Sequence, residues 1–439
     1  MADIRKKVDT KKSIWGFGAN GWYIIFYCAL MFWFYAGMNN DGTNITAPAI
    51  SEKLGVEYPT VLSMGTIAGI CAVVLWIIMG RVNIRLGVRV TSTICLAITG
   101  VAYMCMGNAV NLAMYLIAYI CLGGAIMSAG YICGGVLVAD WFPKKRGIVM
   151  GWTTMGLNCA TAFFVPLLAL LVNTRGVEFA TIVLGSICIG VAILGLVTIK
   201  NSPLERNVYP DNVSKEEYET MYDTVDAVDD KSIWTVKQLL KTKAMWQCAV
   251  PTGLIQLITT GVVTQLVVRN VSFGMDQGQA ILMMTVVALV GIVGSWLFGV
   301  LDQKIGTVKC MMIFGAWEAI ALIANITETW AGIYISVVMI GMAIGGSANF
   351  MISLPANVFG RHGFSVVNSV LFPIQGLITC CAFAINAFAL SMFGSLRYAF
   401  MIYVGVCVVY TIIVKFVPEF KYNRDINAEV KEQAIQSNQ

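Results

Sequence analysis

Long apolar runs separated by short polar breaks constrain the fold of this chain more than any other feature. A helix needs about 20 apolar residues to cross the hydrocarbon core of a bilayer. Twelve runs approach or exceed that length: 21–49, 61–80, 90–107, 112–139, 147–172, 178–199, 246–269, 279–300, 309–326, 331–357, 363–391 and 396–417. With 58% hydrophobic and 12% charged residues over 439 positions, the chain is predicted to be an all-α integral membrane protein and not a soluble globular protein.

The chain also repeats itself at an offset of 219 residues. The repeated positions are Gly80 and Gly87, which recur as Gly299 and Gly306, and the tetrapeptide KSIW at 12–15, which recurs at 231–234. In both halves the glycines flank a short basic hairpin between two apolar runs. Three matches at one offset predict two pseudo-symmetric halves, each a bundle of six transmembrane helices.

Basic residues indicate the orientation in the membrane. Only four of the 29 Lys and Arg residues fall on one side of the predicted spans, namely Lys53, Arg175, Arg269 and Arg397. The excess on the other side predicts that this side, with both termini, is cytoplasmic. We expect a multi-pass protein of the cytoplasmic (inner) membrane, monomeric, with no cleaved signal peptide.

The polar breaks divide the chain into five parts. These are a cytoplasmic tail (1–20), a first bundle (21–199), a cytoplasmic linker (200–244), a second bundle (245–417) and a second cytoplasmic tail (418–439). The linker is acidic and then basic, and its end, 235–246, is a candidate amphipathic helix at the membrane surface. A solvated connector is favoured over a regulatory or partner-binding loop.

Several function classes lack the residues they need. His362 is the only histidine, and no phosphate-binding Gly-rich loop is present, which argues against a histidine-based active site or ATP hydrolysis. The 13 cysteines lie in or beside apolar runs without metal-binding spacing, so they are interpreted as small apolar residues. We expect no enzymatic activity, no metal, no cofactor and no nucleic-acid partner.

The hairpin and the arrangement of six plus six spans resemble the major facilitator superfamily. Its signature has a glycine, an acidic and a basic residue, a glycine and further basic residues, although Ile84 and Gln303 stand where Asp is usual. The segment DWFPKKRG at 140–147 is similar to a loop of the oxalate/formate-exchanger and monocarboxylate-transporter branches. The resemblance implies a secondary active transporter working by alternating access. It would move a small organic solute, first of all a monocarboxylate or other organic acid, by proton coupling or exchange.

One departure from those branches concerns the charge of the substrate. They carry basic residues inside helices eight and eleven, whereas 279–300 and 363–391 contain no Lys or Arg. An organic acid would therefore be held by hydrogen bonds and helix ends, or be carried with a proton. Two alternatives stay open: transport of a cationic or zwitterionic metabolite held by Asp41, and a non-transporting membrane sensor or scaffold.

Ionisable side chains deep in a membrane are costly and are functional candidates by default. Asp41, late in the first span, shares one helical face with Asn44, and a role in proton or substrate binding is weighed there against structural pairing. Glu318, in the ninth span, is interpreted mainly as a structural acid, because the resemblance makes helix nine peripheral. Neutral polar residues in other spans predict either a central cavity or interhelical hydrogen bonds. The substrate or proton site candidates are Asp41, Asn40, Asn44, Asn158, Gln256, Thr260, Asn349, Asn368 and Gln375.

The resemblance also implies a latch on the cytoplasmic side. In that family the basic residues of the hairpin close against the end of helix four, which here makes Arg85 and Arg89 the predicted partners of Asp140. Lys304 is the counterpart in the second half, facing the uncharged Asn357. The alternative is that these basic residues only enforce orientation.

Overall fold

A computed structural model describes residues 16–142, 145–215, 218, 234–360 and 364–423, without the side chains of 146–147 and 364–365. The described chain is helical throughout, with no strand. Residues 1–15 and 424–439 of the predicted tails lie outside the described residues, and so do the KSIW segment at 12–15, most of its echo, and His362.

Ten helical segments of the described chain are long and apolar enough to cross a bilayer, with one bent pair taken as a single segment. Two of them are 50 and 51 residues long, about twice the length of one crossing, and each turns back at an internal glycine. The described part of the chain therefore forms twelve spans, as predicted. They are span 1, 18–54; spans 2 and 3, Tyr58–Gly107, divided at Gly87; span 4, Leu112–Trp141; spans 5 and 6, 146–198, divided at Gly176; span 7, Lys243–Val263 with Leu266–Ser272; span 8, Gln277–Ile305; span 9, Thr307–Ile326; span 10, Trp330–Phe359; span 11, Phe364–Thr379 with Cys381–Phe393; and span 12, Arg397–Lys415.

The repeated glycines make the two hairpins. Gly87 has φ 76° and ψ 167°, and its echo Gly306 has φ 88° and ψ 151°. Positive φ is strained for residues with a Cβ but open to glycine, so the chain can reverse within one residue at both places. The two halves thus share a backbone conformation as well as a sequence motif.

The packing of the spans repeats as well. In the first half, span 1 packs on span 5, span 2 on span 4 and span 3 on span 6. In the second half, span 7 packs on span 11, span 8 on span 10 and span 9 on span 12. Between the halves, span 2 meets span 11 and span 5 meets span 8. Adding six to a span number turns each contact into another, so the spans form two pseudo-symmetric bundles of six.

Glycines allow the closest of these approaches. A Cβ on Gly345 of span 10 would lie 1.8 Å from the carbonyl oxygen of Gly291 in span 8. A Cβ on Gly100 of span 3 would lie 2.6 Å from the carbonyl oxygen of Gly185 in span 6. Small residues at helix contacts let backbones approach inside lipid, which is why apolar runs this rich in glycine pack as bundles.

The central segment docks on both bundles. On the first bundle, Arg206 donates a hydrogen bond to Asn20 at 2.8 Å. On the second, the ring of Trp234 makes edge-to-face contacts with Phe359 and Tyr422, with ring centroids 5.7 and 5.2 Å away. The helix predicted over 235–246 is shorter than expected: it covers Val236–Lys241, and span 7 starts separately at Lys243. The described ends of this segment are therefore anchored and not freely solvated.

Candidate functional site

A cavity of about 90 Å³ lies between the two bundles. One water needs roughly 10–15 Å³ of such space, so the cavity admits a few waters or a small organic solute. Its wall comes from spans 1, 2, 4, 7, 10 and 11. The lining residues are Tyr35, Asn39, Asn40, Gly65, Ala68, Gly69, Ala72, Val73, Trp76, Tyr119, Gly123, Met127, Tyr131, Gln256, Thr260, Met351, Phe372, Gln375, Gly376, Thr379, Cys380 and Phe383.

Among the described lining residues none carries a full charge. Four predicted site residues, Asn40, Gln256, Thr260 and Gln375, do line the cavity, and they come from both bundles. Amides and hydroxyls donate and accept hydrogen bonds but do not neutralise an ion. The wall therefore suits hydrogen bonding more than ion pairing.

Aromatic rings form much of the rest of the wall. Trp76 stacks on Phe372 at 6.3 Å between ring centroids, and Tyr131 lies 6.0 Å from the same ring. Tyr119 contacts Phe383 edge-on at 6.4 Å. These rings are absent from the predicted set. For Trp76, Tyr119 and Tyr131 the signal in the sequence is a ring with a polar tip in the middle of an apolar run, where that tip needs a partner; Phe372 and Phe383 have no such signal.

Two polar atoms of the wall lack a protein partner among the described residues. They are Nε1 of Trp76 and Oε1 of Gln375, and both side chains are more than nine-tenths buried. The other end of the Gln375 amide is used, since Nε2 donates to Oγ1 of Thr252 at 2.6 Å. An unsatisfied buried polar group costs about 1–3 kcal/mol, so a ligand that reached these two atoms would gain their hydrogen bonds.

Asp41 lies directly behind this wall. It is buried, with 6% of its surface exposed, and its Oδ2 accepts a hydrogen bond from Oγ1 of Thr161 in span 5. The described residues include no Lys or Arg paired with it. Its neighbour Asn40 lines the cavity and Asp41 itself does not. A carboxyl group in this position can exchange a proton beside the cavity without contacting the solute.

The described chain has three π-helical segments, all in the first bundle, and two of them contribute residues to the cavity wall. They are Tyr35–Asp41 in span 1, Ser128–Cys133 in span 4 and Ala160–Phe164 in span 5. Such segments re-aim side chains and are frequent at functional sites. Here they contain the lining residues Asn40 and Tyr131 and the Asp41–Thr161 contact.

Asn44 connects the two bundles instead of lining the cavity. Its Nδ2 donates to the carbonyl of Val263 at 2.7 Å, and its Oδ1 accepts from the amide of Val267 at 3.0 Å. These backbone groups flank the 48° bend of span 7, where the helical hydrogen bonds are interrupted. Asn44 thus supplies the partners that the bend removes.

Two further contacts lie on the same side of the molecule. With an even number of spans, residues 16 and 423 lie on one face, named the terminal face, and the loop after span 1 lies on the opposite, distal face. Tyr58 donates to Oε1 of Gln265 at 2.8 Å, and Thr66 donates to the carbonyl of Cys380 at 2.9 Å. Together with the Asn44 contacts they form the distal junction, which joins the bundles in this conformation.

The remaining polar candidates lie elsewhere. Asn158 of span 5 faces Gly291 of span 8, with Oδ1 at 3.6 Å from the position of a Cβ there. Asn349 donates to the carbonyl of Ser295 at 2.8 Å, within the second bundle. Asn368 has a buried Oδ1 without a described partner. None of these three asparagines lines the cavity.

Glu318 sits between spans 9 and 12, away from the cavity. Its Oε2 accepts a hydrogen bond from the hydroxyl of Tyr410 at 3.0 Å and lies 3.8 Å from the sulfur of Cys407. Its side chain is buried. These contacts fit the structural interpretation of this acid.

The latch residues lie on the terminal face. Nε of Arg89 donates to the carbonyl of Leu196 at 2.7 Å, while Arg85, Asp140 and Lys304 are exposed. The contact of Arg89 ties span 3 to span 6 within the first bundle. The latch stays a prediction.

On the distal face three of the four basic residues join span ends. Lys53 pairs with Glu178 at 2.9 Å. Arg269, only 2% exposed, pairs with Glu328 at 3.0 Å, and Arg397 pairs with the same carboxylate at 3.3 Å. In both bundles a cation at the end of the first span thus binds the ends of neighbouring spans. The burial of Arg269 is not apparent from its place in the sequence.

Sequence comparison gives a match over most of the chain. The profile of the family described as the Major Facilitator Superfamily matches residues 25–372. A curated relative, the uncharacterized MFS-type transporter YhjX of Escherichia coli (strain K12), is 19% identical over 342 residues, which cover 76% of this chain and 80% of that protein.

Solved structures with the same fold are transporters. A bacterial homolog of the human lysosomal transporter Spinster, inward-facing and unoccupied, has a TM-score of 0.67 at 14% identity, over 90% of this chain and 96% of that chain. A D-xylose-proton symporter has a TM-score of 0.66 at 14% identity, over 91% of this chain and 99% of that one. At this identity the likeness concerns the fold alone.

Proposed function

Since this chain belongs to the Major Facilitator Superfamily, and is therefore a membrane transporter and not an enzyme, we propose that it carries a small organic solute by secondary active transport. The observation that carries the proposal is the uncharged cavity between the bundles, with a buried carboxyl group directly behind its wall. In a transporter of two repeated bundles, the substrate site lies between the repeats and is exposed to each side in turn.

Alternating access would use the contacts described above. The distal junction holds the bundles together on one side of the cavity, and rocking of one bundle against the other would break it. Because the basic residues lie mostly on the terminal face, we assign this face to the cytoplasmic side of the inner membrane. The distal junction would then be the outer gate and the predicted Arg85, Arg89 and Asp140 latch the inner one.

Asp41 is proposed as the proton site. Its segment carries Asn40 into the wall, and Asn44 three residues later bonds to span 7. A change of charge at Asp41 would alter its bond to Thr161 and so act on both the cavity and the distal junction. This arrangement would couple a proton to the opening of the outer gate without contact between proton site and solute.

The cavity limits the charge of the solute. A monocarboxylate or other organic acid, our first proposal, fits if a proton accompanies it, because the described wall has no cation to balance an anion. A cationic or zwitterionic metabolite is the second proposal. Aromatic faces such as those of Trp76, Tyr131 and Phe372 attract cations.

Replacement of Asp41 tests the mechanism. Purified wild-type and Asp41→Asn proteins are reconstituted in liposomes, and uptake of radiolabelled lactate is measured with and without an imposed proton gradient. We expect Asp41→Asn to abolish gradient-driven accumulation and to leave exchange of internal for external solute intact. Glu318→Gln, which alters an equally buried acid far from the cavity, is the matched control and should keep both activities.

Two results would contradict the proposal. Gradient-driven accumulation in Asp41→Asn at the wild-type rate would exclude Asp41 as the proton site. Loss of both activities in the variant, together with binding of an organic cation to the wild-type protein alone, would favour direct contact between Asp41 and a cationic solute.

A further inference from the structure

We infer that Trp76 and Gln375 bind the solute in an uncharged form, through an O–H group that donates to Gln375 and an oxygen that accepts from Trp76. This inference rests on the proposed function and names the chemical class of its substrate. The class is an undissociated carboxylic acid or an alcohol, small enough for a cavity of about 90 Å³.

The hydrogen bonds around Gln375 determine which end of its amide is free. The hydroxyl of Thr252 donates to the carbonyl of Cys248 at 2.6 Å, so its oxygen can only accept from Gln375. The amide nitrogen must therefore point to Thr252, at 2.6 Å. The amide oxygen is left as an acceptor without a described partner, and it requires a donor from the solute.

Trp76 provides the opposite polarity. An indole N–H donates and never accepts, and this one has no described partner although the side chain is only 7% exposed. The ring of Phe372, stacked at 6.3 Å on Trp76, lies one helical turn before Gln375. The free donor and the free acceptor therefore lie on facing spans, 2 and 11, beside a common aromatic surface.

A solute whose only polar group is a carboxylate or an ammonium satisfies just one of these atoms. A carboxylate has acceptors alone and would place its negative charge against the oxygen of Gln375. An ammonium group has donors alone and would meet the N–H of Trp76. A carboxylic acid or an alcohol has both a donor and an acceptor, and its carbon atoms can contact the rings. The two atoms thus select against simple carboxylates and simple ammonium ions.

Binding to the purified full-length protein in detergent tests this selection. Isothermal titration is carried out with formic acid, with the weaker propionic acid, with glycerol and with ethylammonium, over a pH series. The titratable groups near the wall are the hydroxyls of Tyr35, Tyr119 and Tyr131, the thiol of Cys380, and Asp41 behind it. If the acid binds undissociated, the midpoint of the pH dependence follows the pKa of the acid used, while glycerol binds equally at every pH and ethylammonium does not bind.

Two variants test the two atoms. Trp76→Phe removes the indole N–H, and Gln375→Met removes the free amide oxygen together with the amide nitrogen that donates to Thr252; both keep much of the side-chain bulk. We expect each to weaken binding of acid or glycerol roughly five- to tenfold. Trp141→Phe is the matched control, because its indole N–H is also buried without a described partner but lies outside the cavity; its binding should equal that of the wild type.

The inference is overturned by any of three results. The first is that neither acid nor glycerol binds. The second is one pH midpoint shared by both acids, which would mean that a protein group titrates. The third is binding of ethylammonium or of the formate anion that Trp76→Phe and Gln375→Met leave unchanged. After the second or third result, the liposome assay shows whether the solute that bound is also transported. Accumulation of that solute would leave the proposed function intact while this inference fails, so the two failures are distinguishable.

Discussion

The distal junction makes a quantitative prediction about Asn44. Asn44→Ala removes the two hydrogen bonds that cross from span 1 to span 7, at 2.7 and 3.0 Å. The backbone groups that lose their partner, the carbonyl of Val263 and the amide of Val267, belong to buried residues. When the bundles separate on this side, water can reach the same groups, so the substitution destabilises the closed distal junction and not the open one.

The size of the effect follows from these contacts. Each hydrogen bond contributes about 1 kcal/mol net, and a buried group left unpaired costs about 1–3 kcal/mol. A total of about 3 kcal/mol shifts the equilibrium between closed and open junction roughly a hundredfold toward open.

Native cysteines report the shift. Cys380 lies in the junction, where its carbonyl accepts from Thr66, and its side chain is buried. A membrane-impermeant maleimide is added to oriented vesicles from the side of the distal face, and labelling of each cysteine is followed by peptide mass spectrometry. We expect Cys380 to react many times faster in Asn44→Ala, while Cys95, fully buried inside the first bundle, stays unlabelled.

Thr46→Val is the control for this experiment. Thr46 is as buried as Asn44, but its hydroxyl bonds to the carbonyl of Gly42 in its own helix at 3.1 Å. The labelling of Cys380 should therefore not change in Thr46→Val. Equal labelling rates in Asn44→Ala and the wild type would refute the assignment of Asn44 to the junction.

Two further predictions concern stability. Arg269→Ala removes a buried cation and leaves Glu328 with a poorer partner, so thermal unfolding should show a free energy of unfolding about 3 kcal/mol lower. Replacing the exposed Arg175 by Ala should change this free energy by less than about 0.5 kcal/mol. Equal melting temperatures of the two variants would contradict the ion network. Gly345→Ala places a Cβ 1.8 Å from a carbonyl oxygen of span 8 and should reduce the yield of monodisperse protein in size-exclusion chromatography. Gly405→Ala, whose new Cβ would have nothing within 4 Å, should not reduce it. A normal yield of Gly345→Ala would contradict the close contact.

The fold could be predicted from the sequence because a bilayer leaves few choices. Backbone groups in lipid must be satisfied internally, so every apolar run becomes a helix. The repeat of Gly80 and Gly87 at Gly299 and Gly306 indicated two halves. In the structure the chain reverses direction at both Gly87 and Gly306. The ends of the spans were less predictable, as span 1 extends to residue 54 beyond the apolar run.

The candidate site was predictable only in part. A polar residue within an apolar run is costly to place in the membrane and is therefore a functional candidate. This criterion identified the cavity-lining residues Asn40, Gln256, Thr260 and Gln375. The same signal identified Asn349, which bonds within its own bundle. A hydrogen bond between helices and a cavity wall produce the same polar residue in the sequence, so the pattern cannot separate them.

By itself the sequence determined the membrane class, the number of spans and the two-fold repeat, because these depend on hydropathy and on glycine, which are local properties. Only the tertiary structure decided that Asp41 lies behind the cavity wall, that Asn44 completes the bent span 7, and that Trp76 and Gln375, each with a buried polar atom lacking a described partner, line the same cavity. Those facts depend on which helix faces meet, and residues from distant spans decide that together.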